Sequence, residues 1–374
     1  MKKQFKYGIL ILNISLWLAV TCYGGPVIRT VEDNGVTIAT FRTDATEVSW
    51  SQSGNDLIAY SAPRGDGYYD IHVARSDGSN DIDLTGHNPD LPHKHHGDPS
   101  WHPRGRWIVF VAEKEKHPGS SYAARGGFGA YNDIWVMTPD GKEVHQLTNL
   151  PADRDHGVIF PHFSPDGRRL MWTQLNKRPS FLLSGHRGIG YWQLQVADFI
   201  EGPEGPYLRN VQTFAPGGQA FYEGYGFSPD GRKLIFCSDM KGKTWSDEDI
   251  FTIDGQTGGD VQQLTAGDYN EHAFYSPDGS FIVWMTDRDN KARGLAGRRG
   301  TDWWIMNADG SGKRRLTYFN QPRHPEYSGD PLWATQLSFH PDAKVFAGEL
   351  QTSLLKQNGM IKLVSLPNPK NEGR

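Results

Sequence analysis

The sequence predicts an all-β protein: a six-bladed β-propeller of four-stranded antiparallel blades, closed by its own N-terminal strand. Three observations predict it. One turn unit recurs six times. Each copy is followed by the same succession of apolar runs and Gly-containing turns. The last copy runs short of a strand, and the start of the chain has one to spare.

The turn unit is an aromatic residue followed by Ser-Pro-Asp-Gly. It stands as Phe163-Ser164-Pro165-Asp166-Gly167 and again at 227–231 and 275–279. Weaker copies are Trp50-Ser51-Gln52-Ser53-Gly54, Trp101-His102-Pro103-Arg104-Gly105 and Phe339-His340-Pro341-Asp342-Ala343. Their last residues fall at 54, 105, 167, 231, 279 and 343, far enough apart for four short strands and their loops. Pro and Asp-Gly stop one strand and start the next.

An apolar run follows each turn, such as Leu57-Ile58-Ala59-Tyr60 or Leu234-Ile235-Phe236. A second run, often opened by Asp, comes next: Asp70-Ile71-His72-Val73, then 133–137, 249–253 and 302–306. After a further turn, Leu-Thr ends the unit at Leu84-Thr85, Leu147-Thr148, Leu264-Thr265 and Leu316-Thr317. The third repeat departs, with 211–214 in that place. β-branched and aromatic residues fill the runs, and no amphipathic helix of useful length interrupts them. The sixth unit ends after Leu366, and Val36-Thr37-Ile38-Ala39-Thr40-Phe41 belongs to no unit. That segment is expected to complete the last blade and remove an open edge. A seventh blade remains open, although no turn unit marks one.

These motifs resemble the repeat of TolB-like propellers over 36–366. The resemblance implies the propeller fold and little about activity. No α/β domain precedes the repeats, so it is not expected to extend to TolB itself. Propellers of this type also cap oligopeptidases, but no Gly-x-Ser-x-Gly elbow is present. More distantly the chain is similar to oligogalacturonate lyases, which implies a His/Gln-bound divalent metal at the channel mouth and β-elimination on uronate sugars. On residue types alone, the ligands implied are His156, His162, His272 and Gln336, with Mn²⁺ or Ca²⁺ as the ion, and the catalytic base His96 or His156.

Residues 1–24 read as a signal peptide. Lys2, Lys3 and Lys6 precede an apolar run of signal-peptide length, too short for a membrane anchor. Cleavage after Gly24 leaves the propeller at 25–367 and a disordered tail at 368–374. Cys22 follows Leu18-Ala19-Val20-Thr21, a loose lipoprotein-box match, so a lipid anchor on Cys22 is the lesser alternative. The expected destination is periplasmic or extracellular. Cys237 then has no partner and reads as a buried, inert thiol. The formal net charge of -4 gives no basic excess for a nucleic-acid partner.

Strand parity puts the tight turns on one face and the long, variable loops on the other, where binding chemistry sits. Of 14 histidines, eight lie in inter-blade linkers leading to the inner strands: His87, His93, His95, His96, His156, His162, His272 and His324. Asp98, Glu223, Glu271 and Gln336 join them, so a His/acid-lined funnel is expected. The long loops add cations, among them Arg125, Arg187, Lys243 and Arg298, interleaved with aromatics. Such a rim suits an anionic, ring-containing ligand. Two functions follow: a non-enzymatic module binding an acidic oligosaccharide or a cell-envelope protein, with Asp98, Glu223, Arg125, Arg187, Lys243 and Arg298 as ligand contacts; or a metal-dependent polysaccharide lyase.

Overall fold

The computed structural model describes residues 29–30, 35–178, 190–242, 247–290, 300–352 and 359–367. The signal-peptide, Cys22 and tail expectations lie outside these residues. Every blade is an antiparallel sheet, and there are six. The inner strands, blades one to six, are Thr46–Trp50, His96–Trp101, Gly157–Phe163, Tyr222–Phe227, Asn270–Tyr275 and Trp333–Phe339. Each touches the next around a ring, the sixth touching the first. As expected from the unpaired segment, Thr37–Arg42 joins blade six beside Gly359–Ser365. A further strand, Arg29–Thr30, pairs outside it, so that blade has five strands. No seventh blade forms among the described residues.

The recurring motifs have physical causes. In the Ser-Pro-Asp-Gly turns the Ser hydroxyl donates to the Asp two residues on, at 2.6 Å in Ser164–Asp166, 2.5 Å in Ser228–Asp230 and 2.6 Å in Ser276–Asp278. The Gly amide then closes the turn on the Ser carbonyl, and Gly167 takes φ 74°, where a side chain is strained. In blades two and six a histidine replaces the serine. His102 Nδ1 accepts from the Arg104 amide at 3.1 Å, and His340 Nδ1 from the Asp342 amide at 3.3 Å.

The Leu-Thr signature is a clamp. Its threonine hydroxyl accepts from the amide that follows the strand-opening aspartate and donates to that aspartate. The pairs are Thr85 with Asp70, Thr148 with Asp133, Thr265 with Asp249 and Thr317 with Asp302. The amides are those of Ile71, Ile134, Ile250 and Trp303. Each outer strand is only two or three residues long in these blades, so the clamp holds an edge that the ladder alone holds weakly. Blade three instead extends a hairpin, Tyr191–Gly202 against Gly205–Phe214. The core is a set of interblade clusters. One joins Ile159, Leu175 and Trp192 to Tyr225, Ile235, Ile282 and Trp284 across blades three to five.

Removing the Thr317 hydroxyl leaves the buried Asp302 and the Trp303 amide each short of a partner. Thr317→Val should cost about 1–3 kcal/mol of stability, and Thr317→Ser far less. Denaturant unfolding of the two variants measures both.

Candidate functional site

All six inner strands carry a β-bulge at the same place. The register shifts between Thr46 and Val48, Gly97 and Ser100, Ile159 and His162, Gly224 and Gly226, Glu271 and Phe274, and Ala334 and Leu337. A bulge adds a residue that the ladder does not pair and re-aims its side chain. Four bulge residues adopt left-handed backbone: Glu47 (φ 51°), Asp98 (φ 50°), Phe160 (φ 52°) and His272 (φ 47°). Such strain persists where the surroundings fix it, commonly at working sites.

Carboxylates satisfy the amides that the bulges release. Glu349 Oε2 accepts from the Glu47 amide at 3.3 Å. Glu47 Oε2 accepts from the Asp98 amide at 2.7 Å and from the Ser61 hydroxyl at 2.7 Å. Asp98 Oδ2 accepts from the Phe160 amide at 3.2 Å and the Gly127 amide at 3.4 Å. The chain of bonds runs from blade six through one and two to three. The loop of blade two seats on it: a Cβ on Gly126 would lie 1.7 Å from Glu47 Oε1, so only glycine fits there. Burial raises all three acids. Glu47 stands well above the usual carboxylate range, Glu349 is raised, and Asp98 is pushed up to about 7.

A second group stands between blades four and five. One ligand atom each of Glu223, Glu271 and His272 lie within 4.8 Å of one another, all three residues buried. His272 Nδ1 is 3.8 Å from Glu223 Oε1, and Nε2 is 3.6 Å from Glu271 Oε2. Both gaps exceed a hydrogen bond. The Tyr225 hydroxyl donates to Glu223 Oε1 at 3.0 Å, and the Tyr269 hydroxyl to Glu271 Oε2 at 2.5 Å. Cys237 and Glu248 form an adjoining group that shares Glu271. Burial, and then the charge of Glu271, push Glu223 and Glu248 well above the usual carboxylate range. Burial raises the Cys237 thiol and lowers the His272 imidazole, which is therefore neutral at pH 7.

The sequence-derived site residues divide. Asp98, Glu223 and His272 come to the channel in these two groups. Gln336 occupies the bulge of blade six and is buried. His162 sits one layer nearer the tight turns, 3.3 Å from Ser100 Oγ, and burial lowers it to about 4. His96 is held between blades one and two, with Nδ1 3.1 Å from Asp70; Asn270 Nδ2 makes the matching bond to Asp249. His156 lies near the surface, with Nδ1 2.6 Å from Asp153. Histidine convergence is thus narrower than expected. His87 and His93 are exposed, His95 packs on Tyr68, and His324 stacks on Tyr318. Acids converge instead, and three of them, Glu47, Glu248 and Glu349, lie outside the sequence-derived set. Reading three residues back from each motif aromatic reaches Glu47, Asp98, Phe160, Gly224, His272 and Gln336, which marks the bulge ring.

The rim retains part of its expected character. Arg187, Lys243 and Arg298 lie outside the described residues. The Arg125 guanidinium stands 4.8 Å from the Tyr122 ring and 6.0 Å from that of Tyr69, and its buried Nε has no hydrogen-bond partner. Lys94 Nζ lies 5.2 Å from the Tyr68 ring. Lys114 is spent on Asp133. A cavity of about 650 Å³ opens on the opposite, tight-turn face, lined by Arg169, Asp198, Asp230 and Asp254, away from this chemistry.

Comparison with solved structures gives TolB from Acinetobacter baumannii at TM-score 0.53 and 17% identity, covering 84% of this chain and 64% of that one. The fold is that of a TolB-like β-propeller. At such identity the likeness is one of fold. An oligogalacturonate lyase in complex with manganese superposes at TM-score 0.51 and 14% identity, covering 92% of this TolB-like propeller and 96% of that chain. In sequence, the Tol-Pal system protein TolB of Anaeromyxobacter dehalogenans is 26% identical over 160 residues, 39% of this chain and 28% of that protein. The chain spans between 22% and 63% of the length of the curated relatives it matches. No family model matches it. No helix among the described residues is long and apolar enough to cross a membrane.

The Glu47, Asp98 and Glu349 set has a pH signature. A carboxyl raised by folding holds its proton more tightly folded than unfolded. The stability it contributes is fully present below the unfolded value near 4 and is lost as pH rises through the folded value, about 7 for Asp98. Unfolding free energy should therefore fall between pH 5 and pH 8. Asp98→Asn, which keeps an acceptor for the Phe160 amide, should be more stable than the parent at pH 8 by about 1–3 kcal/mol and show little gain at pH 4.

Proposed function

We propose that the protein is an exported binding module that takes a glycan carrying acidic groups at the loop face of the propeller. The supporting observation is the Arg125 site. A guanidinium lies against two tyrosines of different blades, Tyr122 and Tyr69, with a buried Nε unpartnered. Tyr122 is 40% exposed, one of few large apolar side chains so open among the described residues. Lys94 beside Tyr68 adds a second cation on the same face. An aromatic face supports a sugar ring, and a planar guanidinium pairs with a carboxylate through two parallel bonds. The channel below is lined by carboxyl groups, Glu47, Asp98, Glu223 and Glu271, and these offer an anion no cationic partner, so the acidic groups stay at the rim. Arg187, Lys243 and Arg298 belong to the same reading. The leader-like 1–24 segment supports export to the periplasm or beyond, where such glycans and cell-envelope proteins occur.

Arg125→Ala and Tyr122→Ala should each weaken binding to uronate-containing oligosaccharides about tenfold or more, with thermal midpoints near that of the parent. Calorimetric titration against neutral and acidic oligosaccharides reads this. Equal affinity for both sets, or parent-like affinity in both variants, overturns the reading.

The second reading is a lyase, supported by the near full-length superposition on the manganese-bound oligogalacturonate lyase. A divalent cation would acidify the C–H beside the uronate carboxylate, a histidine would remove the proton, and the glycosidic C–O bond on the next carbon would break as the C=C double bond forms, the leaving sugar oxygen taking up a proton. Of the two bases considered, His156 is open to solvent and paired with Asp153, whereas His96 is 1% exposed. Growth of ultraviolet absorbance from unsaturated uronide, abolished in His156→Ala, establishes this reading; a flat trace across a uronate panel with Mn²⁺ present excludes it.

A further inference from the structure

Three glutamates, a cysteine and a histidine share the wall between blades four and five. Among the described residues, the groups that act most strongly on two of the glutamates include no lysine or arginine. Around Glu223 the influences are burial, Glu271, Tyr225 and Asp98. Around Glu248 they are burial, Glu271, Glu223 and Asp239. Buried carboxylates without a cationic side chain are neutralised by protons or by a metal ion.

The geometry around His272 separates these. Protons alone would draw imidazole and carboxylates into hydrogen bonds of about 2.7–3.2 Å. Instead the ring stands between Glu223 at 3.8 Å and Glu271 at 3.6 Å and hydrogen-bonds to neither. His272 is 9% exposed, and its Nδ1 is buried without a partner while aimed at Glu223. These two contacts use different ring nitrogens, and an ion takes only one of them; one nitrogen lies within 4.8 Å of an oxygen of each glutamate, a spacing that donors each about 2.0–2.2 Å from a single metal can keep. The His272 backbone is fixed in a left-handed bulge at φ 47°. Tyr225 and Tyr269 each donate to one oxygen of Glu223 and Glu271, as outer partners of ligating carboxylates do.

We propose that Glu223, Glu271 and His272 bind one first-row divalent cation, Mn²⁺ or Zn²⁺, in the wall of the central channel. Imidazole among the donors selects these ions over Ca²⁺, which takes oxygen ligands. Glu248 and Cys237 stand behind Glu271 as a second layer. This set keeps His272 from the sequence-derived ligands and replaces His156, His162 and Gln336 with two glutamates. It is independent of the glycan reading, because the ion lies in the channel and not at the Arg125 rim.

The test uses the whole protein, stripped with chelator and titrated with Mn²⁺ alone and with Zn²⁺ alone, without any glycan. One equivalent should bind and raise the thermal midpoint. The electron paramagnetic resonance spectrum of the Mn²⁺ form should show coupling to one imidazole nitrogen. His272→Gln should remove that coupling and weaken binding about a hundredfold or more, and Glu223→Gln should weaken it comparably. Gln336→Ala, outside the proposed ligand set, should bind as the parent does. No uptake of either ion, no nitrogen coupling in the parent, or coupling that survives in His272→Gln overturns the proposal. The parent spectrum decides the matter even if both ligand variants fail to fold.

Discussion

The structure depends on an unpaired backbone. Each inner strand is interrupted by a bulge, and a bulge leaves amides that its own ladder cannot pair. In blades six, one, two and three the solution is a relay of carboxylates: Glu349 to the Glu47 amide, Glu47 to that of Asp98, Asp98 to that of Phe160. In blade four, the Thr173 hydroxyl takes the Gly224 amide. The bonds that stitch neighbouring blades are therefore the same bonds that satisfy the bulges.

That arrangement explains why the channel is acidic. A carboxylate is an acceptor with about four lone-pair positions, suited to collecting several amides at once. It also brings charge into a place where charge is costly. Burial answers by raising Glu47, Asp98 and Glu349. Between blades four and five the same tendency goes further, since Glu223, Glu248 and Glu271 crowd together with a neutral imidazole. Buried carboxyl groups in the channel and cations at the rim then divide the loop face into two chemically different zones.

Much of the fold was legible because its signals are local. Ser164, Asp166 and Gly167 make a turn with their own side chains and backbone, so the turn is visible as a string of letters. Thr85 and Asp70 lie fifteen residues apart yet mark a clamp, because nearly the same spacing recurs in four blades. His272 and Glu223 could be suspected from their place in the linkers. Their partnership could not, because it joins blades four and five through a bulge whose position only the registers reveal. His96 and His156 looked equivalent in sequence; Asp70 holds one between blades, and Asp153 holds the other near the surface. Glu47 carries no such signal, because it sits in an ordinary short strand with no histidine beside it.

The sequence by itself determined the number of blades, their turns and the strand that closes the ring, since each depends on residues close in the chain or repeated at long spacing. Tertiary structure alone decided which side chains meet at the axis. A shift of one residue in pairing turns a side chain from one face of a strand to the other. Six such shifts, set by the packing of neighbouring blades, chose the acids over most of the histidines.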